Sequence, residues 1–366
     1  MVRACREGES DDSAGQPSPE RCDVGRRDRR GRGPGSRSAV ASIFGEGYAP
    51  VRCGRLELMR LQLVLAAAVL LVSGCSSAVS AATSAPSPAM GFAAITPASV
   101  TYCTDGGKAQ TLDVYEPPSG VEVHPLLIIV HGGSWAFGNS AMDQQSQLTQ
   151  RVVKGVLEHG FAVVSINYRL APADQWPAQI VDTRCAVRYL RATAARWHVD
   201  PHRFTALGDS AGAHLVSLDA LSAQQEPQWN SGEYGGQSSA LQAVVDCWGP
   251  TDLNARGWSR LAIGIGRNVF RVGLGSQTDV LWRASPVSYV HRGVPPFLII
   301  QGTSDTLVPP QQSAELQARL LAVSDAATLV DVAHAGHGLE PSGGDIVPSL
   351  DTLARRTVSF LVSIVG

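Results

Sequence analysis

The sequence has no strong excess of either charge, no repeat of fixed period and no apolar run long enough to span a membrane. Its 366 residues carry a formal net charge of −2, without the basic character typical of nucleic-acid-binding proteins, so we expect no nucleic-acid partner. No Cys and His residues have the spacing of zinc ligands, and no metal or cofactor is implied. With 44% hydrophobic and 17% charged residues, the composition is that of a globular protein. The length allows one large domain or two ordinary ones.

The first 58 residues differ in composition from the rest of the chain. They contain eleven Arg and nine Asp or Glu, about +2 (11 − 9), which leaves about −4 (−2 − 2) for the remaining residues. The stretch "GRRDRRGRGPGSR" has too little apolar content to form a packed core. Residues 1–58 are therefore predicted to be a disordered, Arg-rich extension.

A short apolar segment follows, "MRLQLVLAAAVLLVSGC", from Met59 to Cys75. Arg60 precedes an uncharged run, Leu61–Val72, which is shorter than the roughly 20 residues needed to span a bilayer, so a secretory signal is favoured. The final "VSGC" resembles the lipobox of bacterial lipoproteins, in which the Cys is lipidated. Residues 59–74 are thus predicted to be a lipoprotein signal peptide. The alternative is a buried helix that ends at Cys75.

The predicted signal peptide affects the interpretation of the residues before and after it. A signal that starts at Met59 suggests that translation also starts there, so that residues 1–58 would lie upstream of the true start. Residues 75–98 are rich in Ser, Ala and Pro, which is typical of a flexible tether. We expect an extracytoplasmic protein that is anchored to the cell membrane by a lipid on Cys75, or secreted.

Four cysteines follow the predicted signal peptide, namely Cys75, Cys103, Cys185 and Cys247. If Cys75 carries a lipid, three remain, which is an odd number for an exported protein. One pair could be bridged, and the sequence leaves open which pair it is. None of these residues lies in a pattern typical of a catalytic Cys.

From residue 99 to residue 366, short apolar runs alternate with segments of helical length. Strands are predicted at "TLDVYEP", "PLLIIVHGG", "FAVVSINY", "RFTALG", "LQAVVDCWG", "PPFLIIQG" and "ATLVDVA". Helices are predicted at "QIVDTRCAVRYLRATAARW", from near Ser210, at "QQSAELQARLLA" and at "SLDTLARRTVSFLVSIV". This alternation indicates an α/β fold, in which helices cover both faces of a mainly parallel sheet. Ligands of such sheets bind at the carboxyl ends of the strands.

A candidate nucleophile lies in "GDSAG", residues 208–212, which matches the pattern G-x-S-x-G. This pattern requires a sharp turn between a strand and a helix, with glycines where side chains would collide. A predicted strand precedes Ser210 and a predicted helix follows it. The alternative is that Ser210 only caps its helix.

A second glycine-containing loop, "HGGSW", follows the predicted strand "PLLIIV". Consecutive glycines allow backbone amides to point into a pocket, where they can stabilise the oxyanion of a tetrahedral intermediate. Gly132, Gly133 and Ser134 are the candidates here, together with the amide of Ala211. His131 is predicted to brace the loop. The alternative is an ordinary glycine-rich turn.

A serine nucleophile needs a base to accept its proton and an acid to orient that base. Asp305 follows the strand "PPFLIIQG", and His337 lies on the loop after the next strand. The order Ser210, Asp305, His337 is that of the catalytic triad in α/β-hydrolases. Asp305 could instead cap a turn.

Four other residues are weaker candidates for the acid or the base. His334 lies three residues before His337, and His214 lies on the helix that begins near Ser210, where it should be packed or partly exposed. The side chain of Asp209 should point away from the pocket, and Asp331 falls inside a strand.

From about Val100 to the C-terminus, the sequence resembles the α/β-hydrolase carboxylesterases, in particular bacterial esterases related to feruloyl esterases and to hormone-sensitive lipase. The matching stretches are "HGGSWAFG", "INYRLAP", "GDSAGAHL", "WGPTDL", "SPVSYV", "PPFLIIQGTSDTLVP" and "AGHG". The resemblance implies that Ser210 is the nucleophile, Asp305 the acid and His337 the base. It also implies an oxyanion hole formed by the "HGG" loop and Ala211.

The chain departs from the hormone-sensitive-lipase relatives at two points. Many of them have a third glycine where this chain has Ser134, so only its backbone would contribute to the oxyanion hole. The chain also has no room for their N-terminal cap domain. Residues 253–285 could form a small lid instead. Aromatic candidates for an acyl or alcohol pocket, each more typical of plain core, are Trp135, Trp248, Trp258, Phe270 and Trp282.

These features favour a serine carboxylesterase that hydrolyses small or aryl carboxylic esters through an acyl-enzyme. Its substrate would be a small-molecule ester or one linked to a polysaccharide. Two alternatives remain. One is a peptidase or amidase of the prolyl-oligopeptidase type, although the chain is too short to include a propeller. The other is a catalytically silent surface lipoprotein that binds a partner.

Overall fold

The computed structural model describes residues 99–115, 123–323 and 326–366. The predicted extension (1–58), signal peptide (59–74) and tether (75–98), with the lipidation of Cys75, concern residues outside these ranges and stay predictions. Among the helices of the described ranges, none is both long enough and apolar enough to cross a membrane.

The described residues contain one sheet of eight strands, most of which are continuous apolar runs. Their order across the sheet is β1-β2-β4-β3-β5-β6-β7-β8. Strand β2 pairs antiparallel with β1 and β4, and the other neighbours pair in parallel. The strands are β1 (Val100–Cys103), β2 (Gln110–Tyr115), β3 (His124–Val130), β4 (Ala162–Ile166), β5 (Val199–Asp209), β6 (Ala243–Cys247), β7 (Phe297–Gly302) and β8 (Ala327–Val332).

Seven α-helices connect or follow these strands in the described part of the chain. They are α1 (Gln147–Glu158), α2 (Ala178–Ala192), α3 (Ala211–Ser222), α4 (Arg260–Phe270), α5 (Asp279–Arg283), α6 (Gln311–Leu321) and α7 (Leu350–Val365). Serine hydroxyls cap three of them by accepting a hydrogen bond from a backbone amide of the first turn. These caps are Ser146 on α1, Ser259 on α4 and Ser349 on α7.

The sheet separates two apolar cores because successive strand residues point to opposite faces. Along β3, Leu126 and Ile128 belong to the core shared with α2 and α3, whereas Leu127 and Ile129 belong to the core shared with α1 and α7. Helix α3 is buried along almost its whole length. The prediction of a mainly parallel sheet covered on both faces is confirmed, and the architecture is the α/β-hydrolase fold.

Two elements near the start of the sheet were not predicted. Strand β1 has only four residues and forms an edge of the sheet, and α1 follows a loop after β3. A disulfide between Cys103 and Cys185 joins β1 to α2. Of the described cysteines, Cys247 is free and buried. The pairing that the sequence left open is therefore Cys103 with Cys185.

Residues 253–285, which we call the lid segment, contain α4 and α5. The two ends of this segment are tied together, since the amide of Leu253 donates a hydrogen bond to the hydroxyl of Ser285 over 2.9 Å. The segment follows β6, so it begins at the carboxyl edge of the sheet. This location agrees with the predicted lid.

Candidate active site

Ser210 lies on a sharp turn between β5 and α3. Its backbone has φ 53° and ψ −113°, a region that residues with side chains rarely adopt. A Cβ on Gly212 would collide with the carbonyl oxygen of Val130, and a Cβ on Gly208 would collide with the backbone of Gly212. The two glycines of G-x-S-x-G therefore allow the close packing that this turn requires.

His337 and Asp305 lie beside Ser210, although both are far from it in the sequence. Nε2 of His337 is 3.0 Å from Oγ of Ser210, and its Nδ1 is 2.8 Å from Oδ2 of Asp305. Asp305 follows β7, and His337 follows β8. The structure thus brings together the three residues that the sequence selected, all at the carboxyl edge of the sheet.

Backbone amides hold the carboxylate of Asp305 in position. Its Oδ1 accepts hydrogen bonds from the amides of Leu307 and Val308, each over 2.9 Å. Its side chain is fully buried, whereas that of His337 is 27% exposed. Because an ionised carboxylate only accepts hydrogen bonds, Nδ1 of His337 is the protonated nitrogen. Nε2 is then free to accept the proton of Ser210.

The glycine-containing loop of residues 131–138, which we call the oxyanion loop, packs against this turn. A Cβ on Gly132 would lie 3.5 Å from Cβ of Ser210. Among the described residues, the amides of Gly132, Gly133 and Ser134 have no hydrogen-bond acceptor. Ala211 is the first residue of α3, and the first amides of a helix have no partner within that helix. The four predicted donors therefore lie next to Ser210 in the sequence or line a cavity with it, and their amides have no acceptor among the described residues.

His131 braces the oxyanion loop, as predicted. Its ring stacks on Tyr168 with 4.3 Å between the ring centroids, and its Nδ1 lies 2.7 Å from the carbonyl oxygen of Gly132. The hydroxyl of Tyr168 donates to the carbonyl of His131 over 3.0 Å. Burial lowers the pKa of His131 to about 4, so the ring is neutral at pH 7.

The weaker candidates for acid and base do not contact Ser210 through their side chains. His334 is exposed, and Asp331 is an exposed residue of β8. His214, on α3, is fully buried, and its ring nitrogens hydrogen-bond to the indole of Trp135 and to the carbonyl of Ala284. The carboxylate of Asp209 accepts a hydrogen bond from the hydroxyl of Thr149 on α1. None of these side chains therefore takes part in the hydrogen bonds that join Ser210, His337 and Asp305.

Burial disfavours the charged form of two acidic groups near Ser210, Asp209 and Cys247. Burial raises the pKa of the Asp209 carboxyl, against the opposing effect of hydrogen bonds from Ser146 and Thr149. Burial also raises the pKa of the Cys247 thiol well above its usual value, so this Cys stays a thiol at pH 7. In the described ranges, no group of three or more His, Cys, Asp or Glu side chains could hold a metal ion.

Two cavities meet at Ser210. The smaller one, which we call the apolar cup, has a volume of about 20 Å³ and is lined in part by Trp258, Ile265 and Leu274 of the lid segment. The larger one, which we call the polar cleft, has a volume of about 350 Å³. Ser134 and Leu307 line both cavities. A substrate bound at Ser210 would therefore be divided between a small apolar space and a wide polar one.

The five aromatic residues considered for the pocket have different positions. Trp135 and Trp258 line the apolar cup, and Trp248 lines the polar cleft. Phe270 is buried against Trp135, with 5.4 Å between the ring centroids. Trp282 is 53% exposed, so the expectation that it is plain core was wrong, and it lines neither of the two cavities. It lies on the short helix α5, which turns it towards solvent.

Several residues of the site were not predicted from the sequence. The polar cleft is lined by Gln144, Gln145 and Ser146, which precede α1. Nothing in the spacing of these polar residues distinguishes them from an ordinary surface loop. Only the structure identifies them as site residues, because it shows that they line the same cavity as Ser210. The same is true of the hydrogen bond between Trp135 and His214, which are 79 residues apart.

Comparison with known proteins identifies relatives of the chain. A family model described as BD-FAE matches residues 112–320, which is more than half of the chain. Esterase LipC of Mycobacterium tuberculosis is 32% identical over 237 residues, 63% of this chain and 57% of its own length. Esterase LipQ of the same organism is 36% identical over 219 residues, 59% of this chain and 50% of its own length. The chain spans about half the length of the curated relatives it matches.

Solved structures with the same fold include two that reach 25% identity. A truncated carbohydrate esterase from gut microbiota has a TM-score of 0.60 and 26% identity, over 72% of this chain and 94% of its own. A bifunctional GH43-CE protein of Bacteroides eggerthii has a TM-score of 0.62 and 25% identity, over 73% of this chain and 38% of its own. Together with the match over residues 112–320, these similarities show that the chain belongs to the BD-FAE family, with an α/β-hydrolase fold.

Proposed function

We propose that the chain is a serine carboxylesterase that hydrolyses small or aryl carboxylic esters. The observation that carries this proposal is the hydrogen-bonded series from Ser210 through His337 to Asp305, with distances of 3.0 and 2.8 Å. This arrangement meets the geometric requirement for a serine nucleophile with its general base. Two curated relatives, LipC and LipQ, have the word esterase in their names.

In the first half of the reaction, Oγ of Ser210 attacks the ester carbonyl and His337 accepts its proton at Nε2. Asp305 keeps the required tautomer of the ring and stabilises its positive charge. The negative charge that develops on the carbonyl oxygen is stabilised by amides of the oxyanion loop and by that of Ala211. The alcohol then leaves with the proton of His337, and the acyl group stays on Ser210.

In the second half, His337 removes a proton from a water molecule that attacks the acyl-enzyme. A second tetrahedral intermediate forms and is stabilised by the same amides. Its collapse breaks the bond to Ser210, and His337 returns the proton to Oγ. The products are a carboxylic acid and the regenerated serine.

The two cavities support an assignment of the two halves of the ester. The apolar cup of about 20 Å³ has room for about one water-sized group, which suits the methyl group of an acetyl ester. The polar cleft of about 350 Å³ suits an aryl alcohol or a sugar. Its polar side chains, such as Gln144 and Ser146, could bind hydroxyl groups. A short acyl group on a larger alcohol is therefore the substrate we propose.

The proposal is tested by hydrolysis of p-nitrophenyl esters from acetate to palmitate. We expect activity that falls as the acyl chain lengthens. Ser210→Ala should lower kcat by at least about a thousandfold. Ser217→Ala is the matched control, because Ser217 is a buried serine of the same helix whose hydroxyl bonds to Asp246 rather than to the site. Its kcat should stay close to that of the wild type.

Two results would count against the esterase. The first is a folded wild-type protein without activity on any ester, which would direct attention to amide substrates or to a binding function. The second is an active Ser210→Ala variant, which would show that another residue performs the hydrolysis. Circular dichroism of each variant separates a loss of activity from a loss of structure.

We also propose that the chain is exported and anchored to the membrane by a lipid on Cys75. The disulfide between Cys103 and Cys185 supports export, because such bonds persist in oxidising compartments. The test is fractionation of a bacterial host that expresses the full chain, with labelled palmitate in the medium. Wild type should be labelled and found in the membrane, whereas Cys75→Ala should be unlabelled. A wild-type protein that stays in the cytoplasm would contradict the proposal.

A further inference from the structure

His214 occupies a buried position between two segments that contact the substrate site. It lies on α3, four residues after Ser210, and is fully buried. Its Nδ1 is 3.2 Å from Nε1 of Trp135, a residue of the oxyanion loop. Its Nε2 is 2.7 Å from the carbonyl oxygen of Ala284, near the end of the lid segment. One side chain thus contacts the oxyanion loop and the lid segment at the same time.

The chemistry of the two partners determines the protonation of His214. The indole nitrogen of Trp135 can only donate a hydrogen bond, so Nδ1 of His214 must be the unprotonated acceptor. The carbonyl of Ala284 can only accept, so Nε2 must carry the hydrogen. Burial lowers the pKa of His214 to about 4, which keeps this neutral form at pH 7. Both ring nitrogens therefore make a hydrogen bond, with Nδ1 as the acceptor and Nε2 as the donor.

The oxyanion loop needs an anchor because its backbone is strained. Ser134 and Trp135 have φ values of 56° and 57°, in the left-handed region that residues with side chains avoid. Such conformations persist only where surrounding contacts enforce them. The indole of Trp135 is buried, and Ala171 donates a hydrogen bond to its carbonyl. The bond to His214 is the hydrogen bond made by the Trp135 side chain.

The second hydrogen bond of His214 is made at the base of the lid segment. Ala284 immediately follows α5, and it is adjacent to Ser285, whose hydroxyl accepts a hydrogen bond from the amide of Leu253. The same segment supplies Trp258, Ile265 and Leu274 to the apolar cup. A change in the position of Ala284 would therefore be transmitted to the base of the segment that lines part of the cup.

We propose that His214 is a positioning residue that joins the oxyanion loop to the lid segment and so couples transition-state stabilisation to the shape of the apolar cup. This inference rests on the proposed esterase function. His214 does not touch the reacting atoms, so it is not a catalytic residue. Its bond to Trp135 holds the backbone amides of Gly132 and Gly133, and its bond to Ala284 holds the base of the lid.

The two hydrogen bonds can be removed separately, since Asn and Gln each retain one of them. The amide oxygen of Asn reaches about as far as Nδ1 of His, so His214→Asn keeps an acceptor for Trp135 and loses the donor to Ala284. The amide nitrogen of Gln reaches about as far as Nε2, so His214→Gln keeps that donor and loses the acceptor. Trp135→Phe removes the indole donor and keeps an aromatic ring.

Steady-state kinetics of p-nitrophenyl acetate hydrolysis distinguishes the two bonds. His214→Gln and Trp135→Phe should each lower kcat by about tenfold with little change in KM, because each loosens the oxyanion loop. Their combination should be no worse than the more impaired single variant, because both remove the same bond. His214→Asn should keep kcat within about threefold and raise KM about fivefold.

Ser217→Ala is again the control for general destabilisation, and hydrogen exchange provides a readout that does not depend on activity. The amides of Ala136 and Phe137, which donate hydrogen bonds to the carbonyl of Gly133, should exchange faster in His214→Gln. Those of residues 282–285 should exchange faster in His214→Asn. Wild-type kinetics in His214→Gln, additive losses in the double variant, or unchanged exchange in both variants would overturn the proposal. A folded wild type that hydrolyses no ester would refute the proposed function. The hydrogen-exchange rates of the two variants would then be the test of whether His214 joins the oxyanion loop to the lid segment.

Discussion

Residues with side chains adopt positive φ values at three strand ends around the candidate nucleophile. Ser134 and Trp135 follow β3, Ser210 follows β5 and Trp248 follows β6, with φ values of 56°, 57°, 53° and 47°. Left-handed conformations cost such residues roughly 1–2 kcal/mol each. All four residues line at least one of the two cavities that meet at Ser210. Backbone strain is therefore present at the turns that line the two cavities.

Ser134 offers a direct test of this strain, since a glycine could adopt its conformation without the steric cost. We expect Ser134→Gly to keep kcat within about twofold, because only the backbone amide of Ser134 is needed for the oxyanion hole. The free energy of unfolding should rise by up to about 1 kcal/mol, the relief of strain exceeding the added flexibility of the unfolded chain. Urea denaturation and ester hydrolysis measure the two quantities.

Ser134→Ala is the matched variant, since it also removes the hydroxyl but keeps the Cβ. It should leave kcat unchanged and give no gain in stability. A loss of more than tenfold in kcat in both variants would show that the hydroxyl of Ser134 takes part in the reaction, contrary to our assignment.

At this scale, the sequence was sufficient to select Ser210, Asp305 and His337, because each follows a strand and their order matches a known pattern. Their catalytic roles remain a proposal, although the structure places their side chains within hydrogen-bond distance. The bond between Trp135 and His214 could not be predicted. It depends on the packing of α3 against a loop 79 residues earlier, and each of the two residues by itself resembles ordinary core.

At the scale of elements, the lid segment limits the volume of the apolar cup, which is the space that we propose for the acyl group. Helix α4 is amphipathic: Ala262 and Ile265 line the apolar cup, whereas Arg267 is exposed to solvent. Leu274 follows α4 and packs against Gly266, since a Cβ there would lie 2.8 Å from the amide nitrogen of Leu274. The cup is therefore small because the chain folds back closely on α4.

Truncation of Leu274 should enlarge the cup and change the acyl preference. For Leu274→Ala, we expect the ratio of kcat/KM for butyrate to that for acetate to rise about tenfold, since one buried side chain in an apolar pocket changes discrimination by about 1–3 kcal/mol. The free energy of unfolding should fall by about 2–5 kcal/mol, as for other large-to-small changes in a core. Competition between the two p-nitrophenyl esters measures the ratio.

Leu281→Ala is the control, because Leu281 is a fully buried leucine of the lid segment that does not line the cup. It should lose a similar amount of stability and keep the wild-type ratio. An unchanged ratio in Leu274→Ala would mean that the acyl group does not occupy the cup.

The elements predicted from the sequence were those with long apolar runs or clear helical periodicity. Strands β2 to β8 all coincide with predicted runs. The central parallel strands are continuously apolar because the sheet is covered on both faces. Strand β1 was not predicted because its four residues at a sheet edge are too few to show a clear apolar pattern. The predicted helix "QIVDTRCAVRYLRATAARW" ends at Ala192, and a short 3₁₀ helix, Ala194–Trp197, continues from it. A helical pattern alone does not distinguish such a break.

At the scale of the whole molecule, the disulfide fixes an edge of the sheet far from the candidate active site. Cys103 and Cys185 are 82 residues apart in the sequence, so the bond closes a long loop in the unfolded chain. We expect the double variant Cys103→Ala/Cys185→Ala to lower the free energy of unfolding by about 4 kcal/mol. Because α2 and β1 do not contribute to the two cavities, kcat should change less than twofold. Urea denaturation and ester hydrolysis test both expectations.

Reduction of the wild type should lower the free energy of unfolding as much as the double variant does. Cys247→Ala removes the free thiol of the described residues and serves as the comparison. A double variant as stable as the wild type would mean that the bond does not constrain the unfolded chain. A large fall in kcat in a fully folded double variant would mean that this edge of the sheet influences the candidate active site.

The acid stability of the molecule depends on histidines that fold in the neutral form. His214 has a pKa of about 4 in the folded protein, below its usual value of about 6.5, because burial disfavours the charged ring. Between these two values, the unfolded chain binds a proton that the folded chain does not. Linkage then requires this contribution to destabilise the fold as pH falls from about 6.5 to about 4. The raised pKa values of buried Asp209 and Asp246 act in the opposite direction.

The contribution of His214 is isolated by comparing the wild type with His214→Gln, since the carboxyl groups are common to both. The variant should be less stable at pH 7, and the difference in unfolding free energy should shrink by about 3 kcal/mol between pH 7 and pH 4. Urea denaturation at several pH values measures it. Val216→Ala, an apolar truncation on the same helix, should show a difference that does not vary with pH. If the difference for His214→Gln were equally constant, His214 would have to be protonated inside the fold, where its Nδ1 could no longer accept the hydrogen bond from Trp135.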